Sequence, residues 1–338
     1  MTERVGRYTL RLRSRPAIAG YAAAVGKKEG EGPLAAEFDR IFEDNTLGEE
    51  SWEKAESALL NTAVQLAVQK AGFTPDLLDY VFAGDLLNQS IGATFALRDL
   101  SVPFVGLFGA CSTMALSLGM AAIFVDTISA ARCVAATSSH FCSAERQFRF
   151  PLEYGGQRTP TAQWTVTGAG AALVGNTGGG PFVESVTFGK MVDLGIKDAN
   201  NMGAAMAPAA ADTLKTYFSD TGTSPADYDM VLTGDLGETG SRLLRDLLGR
   251  EGYDLLNRHR DCGLLIFDCE KQKTGAGGSG CGCSASVLCS YVFERLRRGN
   301  LKNVLFIATG ALMSPTSSQQ GESIPGVAHA VCLRANRG

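Results

Sequence analysis

Apolar positions Trp52, Ala55, Leu59, Ala63, Leu66 and Ala67 recur at helical spacing, and the pattern predicts an amphipathic helix that stops before Gly72. A turn with Pro75 follows, then a short apolar run through Tyr80, Val81 and Phe82 that closes on Gly84-Asp85-Leu86 and predicts a strand. The same passage returns in Gly222–Leu236, where the glycine, proline, aspartate, valine and closing Gly-Asp-Leu coincide at one fixed spacing. The Met206–Phe218 stretch occupies the place of the preceding helix. A second pair of passages coincides at another spacing: Cys111-Ser112 with Cys283-Ser284, and Ala136-Thr137 with Ala308-Thr309. Each is a glycine-rich turn, a helix of small and apolar residues, then a strand, Arg132–Thr137 in one copy and Asn303–Thr309 in the other. The pattern predicts an internally duplicated α/β protein, with halves at 1–190 and 191–338. Each half reads strand–helix–strand–helix–strand, with a mainly parallel sheet and a small-residue helix pair buried between the sheets.

Composition supports a large core: 338 residues, 45% hydrophobic and 20% charged. A net charge of −4 leaves no overall basic footprint for nucleic acid. The positive charge that exists is bunched at Arg4, Arg7, Arg11, Arg13 and Arg15, where Tyr8, Leu10 and Leu12 alternate with polar residues. That alternation predicts an edge strand, and the alternative is a contact with an anionic membrane surface. The arginine-rich start lacks the apolar stretch of a secretory signal. Met114–Val125, broken by Ser117 and Gly119, is too short to span a bilayer and is expected to be buried in protein. Nine cysteines, an odd number without a regular framework, are expected as reduced thiols. Cys281-Gly-Cys283 has no second pair to complete a zinc site and reads as small residues in a tight turn.

Candidate chemistry gathers at predicted strand ends, where open α/β sheets bind ligands. Cys111 follows Phe108-Gly109-Ala110 in the first turn of a predicted helix, a place that lowers a thiol pKa and can hold a carboxylate. Asp85, with Asn88 and Gln89, ends another strand; it could serve a ligand or a helix cap. Thr137, Ser138, Ser139 and His140 cluster hydroxyls and an imidazole at a third strand end. The arginines of Glu145–Phe150 and Tyr154–Arg158 could supply positive charge to an acidic ligand, or belong to a lid or dimer loop. His259 falls in a polar run that reads as a loop, His329 in an apolar strand, and Ser317–Gln320 reads as a loop. No hydrolase elbow, P-loop or dinucleotide fingerprint is present, and no cofactor is expected.

The duplicated halves, the glycine–cysteine turn and the glycine-rich strand at Thr165–Val174 resemble the thiolase superfamily, especially ketoacyl synthase III-like condensing enzymes. The resemblance is closer to a non-catalytic branch, the stage V sporulation protein AD family. It is carried by Lys28–Leu34, Ala83–Gln89, Phe108–Thr113, Ala136–His140, Ala144–Arg149, Met202–Asp212, Gly277–Ser284, Ala308–Leu312 and Gly321–Pro325. It implies a layered αβαβα fold and a component of the SpoVA assembly. The ligand implied is dipicolinic acid (pyridine-2,6-dicarboxylate), alone or as its calcium chelate, taken up by the developing spore and released at germination. Other implications are SpoVA membrane proteins as partners, a homodimer, and peripheral association with the forespore and spore inner membrane. Asp85, Cys111, Thr137, Ser138, Ser139 and His140 are the expected ligand-binding residues. In condensing enzymes of this group a histidine ends the strand equivalent to Asp229–Thr233, and an asparagine lies near the turn at Gly280–Cys283. Here those places hold Gly234-Asp235 and no asparagine. Binding without catalysis is therefore expected. The alternatives are an acyltransferase with Cys111 as nucleophile, or a scaffold for membrane partners.

Overall fold

A computed structural model describes residues 2–148, 158–255 and 257–337. The repeated punctuation has a direct structural reason. Gly72 and Gly222 end their helices at φ +77° and +67°, a left-handed conformation that strains any side chain. Pro75 and Pro225 each open a single 3-10 turn. The repeated aspartate then pins the start of the neighbouring strand: Asp79 accepts the N–H groups of Ala131 and Arg132, and Asp229 those of Lys302 and Asn303. Each copy thus carries the same device for aligning two parallel strands.

In the first half, Phe104–Gly106, Tyr80–Gly84 and Arg132–Ser139 lie parallel, and Gly168–Gly175 and Ala17–Val25 continue the sheet antiparallel. The second half repeats this. His259–Asp261, Met230–Thr233 and Asn303–Ala311 are parallel, followed by antiparallel Gly326–Arg334 and Phe182–Phe188, the last a strand from before residue 190 that joins the sheet of the second half. The parallel pairing expected for each half holds for its outer three strands, and the two inner pairings are antiparallel. The halves meet edge to edge through one pair, Phe182 with Ala17. Between them lie helix Thr113–Asp126 and the helical stretch from Cys281 to Arg297, sharing one core with strands of both halves. Trp52–Lys70 covers the outer face of the first half and Met202–Thr221 that of the second. The layers are those of the expected αβαβα arrangement.

The arginine-rich start forms strands Glu3–Val5 and Thr9–Arg11, and the latter adds to the edge of Phe182–Phe188 as the alternation predicts. Two polar runs depart from their sequence reading. His259–Asp261 is a buried-edge strand instead of a loop, because Asp261 accepts the Leu236 and Gly237 N–H groups and ties the run to the neighbouring helix. Pro315–Gln319 is a one-turn helix, opened by Ser314 and Ser317 capping each other. No helix among the described residues is long and apolar enough to cross a membrane.

Close backbone approach fixes the junction of the halves. A Cβ added at Gly310 would stand 2.3 Å from the Gly109 carbonyl oxygen, on the turn that carries Cys111. Gly310→Ala is expected to destabilise the chain by about 1–3 kcal/mol through overpacking. An unchanged urea midpoint would sink this packing argument.

Candidate functional site

Strand Phe104–Gly106 delivers the chain into a tight elbow at Gly109-Ala110-Cys111, just ahead of helix Thr113–Asp126. Ala110 sits at φ +48°, a strained conformation for a residue with a Cβ. Local bonds hold it there: Thr113 Oγ1 donates to the Ala110 carbonyl at 2.7 Å, and Ser112 Oγ to that of Gly109 at 2.6 Å. The elbow aims Cys111 at a cleft lined by Leu86, Phe108, Ala144, Phe148, Met202 and Met313, with Thr165 and Ser279 among the few polar groups. The cleft encloses about 40 Å³.

The sequence placed Cys111 where a thiol should acidify, and the structure overturns that expectation. Burial pushes its pKa well up, and the Asp235 carboxylate and the Cys281 thiol push it further. Asp235 comes from the second copy of the Gly-Asp-Leu motif, and its charge lies close enough to the thiol to oppose ionisation. It also accepts from Gly280 N at 2.9 Å, Thr309 Oγ1 at 2.9 Å and Ser279 Oγ at 3.3 Å. Burial raises the carboxyl itself to about 7, against those hydrogen bonds. A buried thiol beside a carboxylate stays neutral, which is the weakly nucleophilic form of cysteine.

The other expected site residues stand behind the cleft wall with their polar atoms engaged internally. Asp85 is fully buried and accepts from Leu87 N at 2.8 Å and Ala93 N at 2.6 Å, which is the capping role weighed for it. Thr137 Oγ1 donates to the Gly84 carbonyl, Ser138 Oγ to Glu56, and Ser139 Oγ to the Val166 carbonyl. His140 is buried, with Nε2 on the Asn45 carbonyl at 2.7 Å and Nδ1 facing Cys142 N at 3.2 Å. Burial lowers its pKa, which matches a neutral ring donating from Nε2 and accepting at Nδ1. Asn88 and Gln89 rim a separate surface hollow with Arg146 and Gln147.

Arg146 pairs with Glu53, and Arg158 with the buried Glu145 at 2.7 Å. Arg158 also lies over the stacked rings of Phe141 and Trp164. Arg149, Phe150 and Tyr154–Gln157 lie outside the described residues. Cys283 bonds the Gly234 carbonyl and His329 stacks edge-on against Phe188; neither lines the cleft. Cys281-Gly-Cys283 opens a buried helix instead of forming a tight turn, with Cys281 Sγ on the Ser138 carbonyl at 2.9 Å. No group of three side chains suited to hold a metal occurs among the described residues.

Sequence reasoning singled out neither of two acids that shape the site, though it placed Asp235 where condensing enzymes of this group keep a histidine. Glu56 is fully buried, accepts from Ser138 and Ser143, and lies close enough to Asp85 for each to disfavour the other's charge. Its signal is an acid inside the apolar stripe of its helix, beside Ala55, Leu59 and Leu60. Asp235 carries the stronger signal, since it repeats Asp85, but its partners are remote in sequence.

Comparison with known proteins is decisive here. The family model for stage V sporulation protein AD (SpoVAD) matches residues 6–334. The chain belongs to the SpoVAD family. It is 49% identical to stage V sporulation protein AD of Bacillus subtilis (strain 168) over 308 residues, 91% of each chain. It is therefore a sporulation protein. Its fold is that of the condensing enzymes. The 3-oxoacyl-[acyl-carrier-protein] synthase III of Aquifex aeolicus VF5 superposes with a TM-score of 0.58 at 15% identity, covering 94% of this chain and 99% of the enzyme. The priming β-ketosynthase of the R1128 polyketide pathway gives 0.61 at 14% identity, covering 99% of both chains. At such identities the likeness speaks for the fold alone.

Proposed function

We propose that the protein is a non-catalytic dipicolinic acid-binding component of the SpoVA assembly, serving dipicolinate uptake into the developing spore and its release at germination, at the inner membrane and through partner proteins. The observation that supports it is the buried Cys111 thiol at the cleft, held neutral by burial and by the charge of Asp235. A condensing enzyme needs a thiolate and a donor for the thioester oxyanion. A buried carboxylate in that place opposes both charges. What remains of the site is a slot with apolar walls for a flat ring, with the Thr165 and Ser279 hydroxyls and the thiol at its polar margin.

Asp85, Thr137, Ser138, Ser139 and His140 serve this reading by fixing the wall behind the slot, since their polar atoms are already satisfied. As it stands the slot has room for about three waters, taking 10–15 Å³ for each. A pyridine dicarboxylate then enters with rotation of a wall side chain, and Phe108, 51% exposed, has the freedom to turn. Where the calcium chelate is the ligand, dipicolinate supplies oxygen donors of its own.

Calorimetry with dipicolinate, with and without calcium, is expected to show binding to the native chain and at least about tenfold weaker binding to Ala144→Leu, which narrows the slot. No heat from the native chain under either condition would defeat the proposal. Incubation with an acyl-CoA is expected to leave the intact mass unchanged, and an acyl adduct on Cys111 would favour an acyltransferase instead.

A further inference from the structure

The arginine-rich start of the chain has no part in the slot, yet it builds one wall of a second pocket. Arg11, Arg15 and Arg334 surround a hollow of about 220 Å³ with Glu184, Ser185, Tyr217, Thr221, Thr223 and Tyr228. It shares no lining residue with the Cys111 cleft. Strand pairing places Arg11 directly beside Ser185, and Thr9 on the same face of its strand reaches Asp220 of helix Met202–Thr221. The hairpin is thereby held against the helix that supplies Tyr217 and Thr221.

Three guanidiniums face one carboxylate. Glu184 is shared by Arg15 at 2.9 Å and Arg334 at 2.7 Å. Arg11 takes part in no ion pair among the described residues, and Glu3, opposite it in the hairpin, is taken by Arg13. In a chain with a net charge of −4 this local excess of positive charge is unusual. Beneath it runs a connected line of hydroxyls. Ser185 Oγ meets Tyr217 OH at 3.2 Å, Tyr228 OH donates to Tyr217 OH at 3.0 Å, Thr223 Oγ1 meets Tyr228 OH at 3.1 Å, and Thr221 Oγ1 meets Thr223 Oγ1 at 2.8 Å. Hydroxyl chains of this kind polarise cooperatively, and those of Ser185 and Thr223 can turn a proton toward an acceptor. Guanidinium forks match the geometry of phosphoryl oxygens.

We propose that this pocket, between the N-terminal hairpin and the second half, binds a phosphoryl oxyanion, with Arg11 as the guanidinium available to it and the hydroxyl line as its floor. The phosphoryl group could belong to a free phosphate or phosphate ester, or to the headgroup of an anionic lipid. The first test is calorimetry of the full chain with inorganic phosphate, against chloride at matched ionic strength. Binding on the order of millimolar or tighter is expected, weakened about tenfold in Arg11→Gln and unchanged in Arg242→Gln, an exposed control outside the pocket. Arg11 is exposed, so Arg11→Gln should keep the native melting temperature. Co-sedimentation with phosphatidic acid vesicles, against phosphatidylcholine alone, assigns the source. Retention lost in Arg11→Gln and competed by phosphate identifies a headgroup site, and phosphate binding without retention identifies a site for a soluble ligand. Phosphate acting no differently from chloride, or equal binding by native chain and Arg11→Gln, overturns the proposal.

Discussion

In Asp235→Asn, Cys111 should be alkylated by iodoacetamide on the order of tenfold or more faster than in the native chain near neutral pH. The alkylating species is the thiolate, so the rate follows its fraction, and each unit of thiol pKa is a factor of about ten. Burial raises that pKa first, and the Asp235 carboxylate is the largest charge adding to it. Asparagine keeps the shape: its one carbonyl oxygen can take the Gly280 N–H while the Thr309 hydroxyl turns to accept from its amide, and the negative charge is gone. Cys111 is nearly buried yet lines the cleft, so the reagent has a path, whereas Cys281 and Cys283 are fully buried and serve as internal controls. Peptide mass spectrometry after timed labelling reads the rate at each cysteine. Labelling of native Cys111 at the rate of a free thiol, or no acceleration in a folded Asp235→Asn chain, would sink the argument that Asp235 holds the thiol neutral. The same experiment bears on function, because an inert Cys111 is what a binding slot needs and what a condensing enzyme cannot use.

That contact shows where the sequence was legible and where it was not. The duplication could be read because its markers have positional meaning: a left-handed glycine, a turn-opening proline, and an aspartate that pins the next strand. Helices Trp52–Lys70 and Thr113–Asp126 and strand Asn303–Ala311 followed from their apolar spacing. The elbow at Cys111 was legible as a glycine-rich turn. Its electrostatics were not, because Asp235 lies in the other half of the chain and no local pattern couples them. Asp85 and Asp235 open the same motif, yet one caps its own turn and the other meets the opposite half's cysteine. The strand His259–Asp261 was hidden for a related reason: its polar side chains are buried by partners, Thr233 and the Leu236–Gly237 turn, that only the fold supplies. The arginines of the first strand read correctly as an edge, but the hydroxyl line beneath them comes from residues some two hundred positions away, and only packing unites them.

Stability is expected to fall as pH rises from about 6.5 to 8, by on the order of a few kcal/mol, and to fall much less in Glu56→Gln. Buried acids that form no ion pair among the described residues drive it. Burial raises Glu29 from 4.5 to about 7 and Asp235 from 3.8 to about 7. Burial and mutual repulsion raise Glu56, and burial raises Asp85. An acid whose folded pKa exceeds its unfolded value binds more protons when folded. Its stabilisation is complete below the unfolded pKa and is lost as pH climbs through the folded one. Two histidines act in the opposite sense at lower pH. Burial lowers His259 and His329 from 6.5 to about 4, so their contribution is present above 6.5 and lost as pH falls toward 4. The two trends partly cancel below pH 6.5, which leaves the acids unopposed above it. Glutamine at position 56 keeps the acceptor for Ser138 and Ser143 and cannot ionise, so it should match the native chain near pH 5 and exceed it at pH 8. Urea unfolding between pH 5 and 9 measures both curves. A native stability that is flat or rising from 6.5 to 8 would refute the buried-acid account. An unchanged slope in Glu56→Gln would remove Glu56 from it and shift the effect to Glu29 and Asp235, whose glutamine and asparagine variants then become the deciding pair.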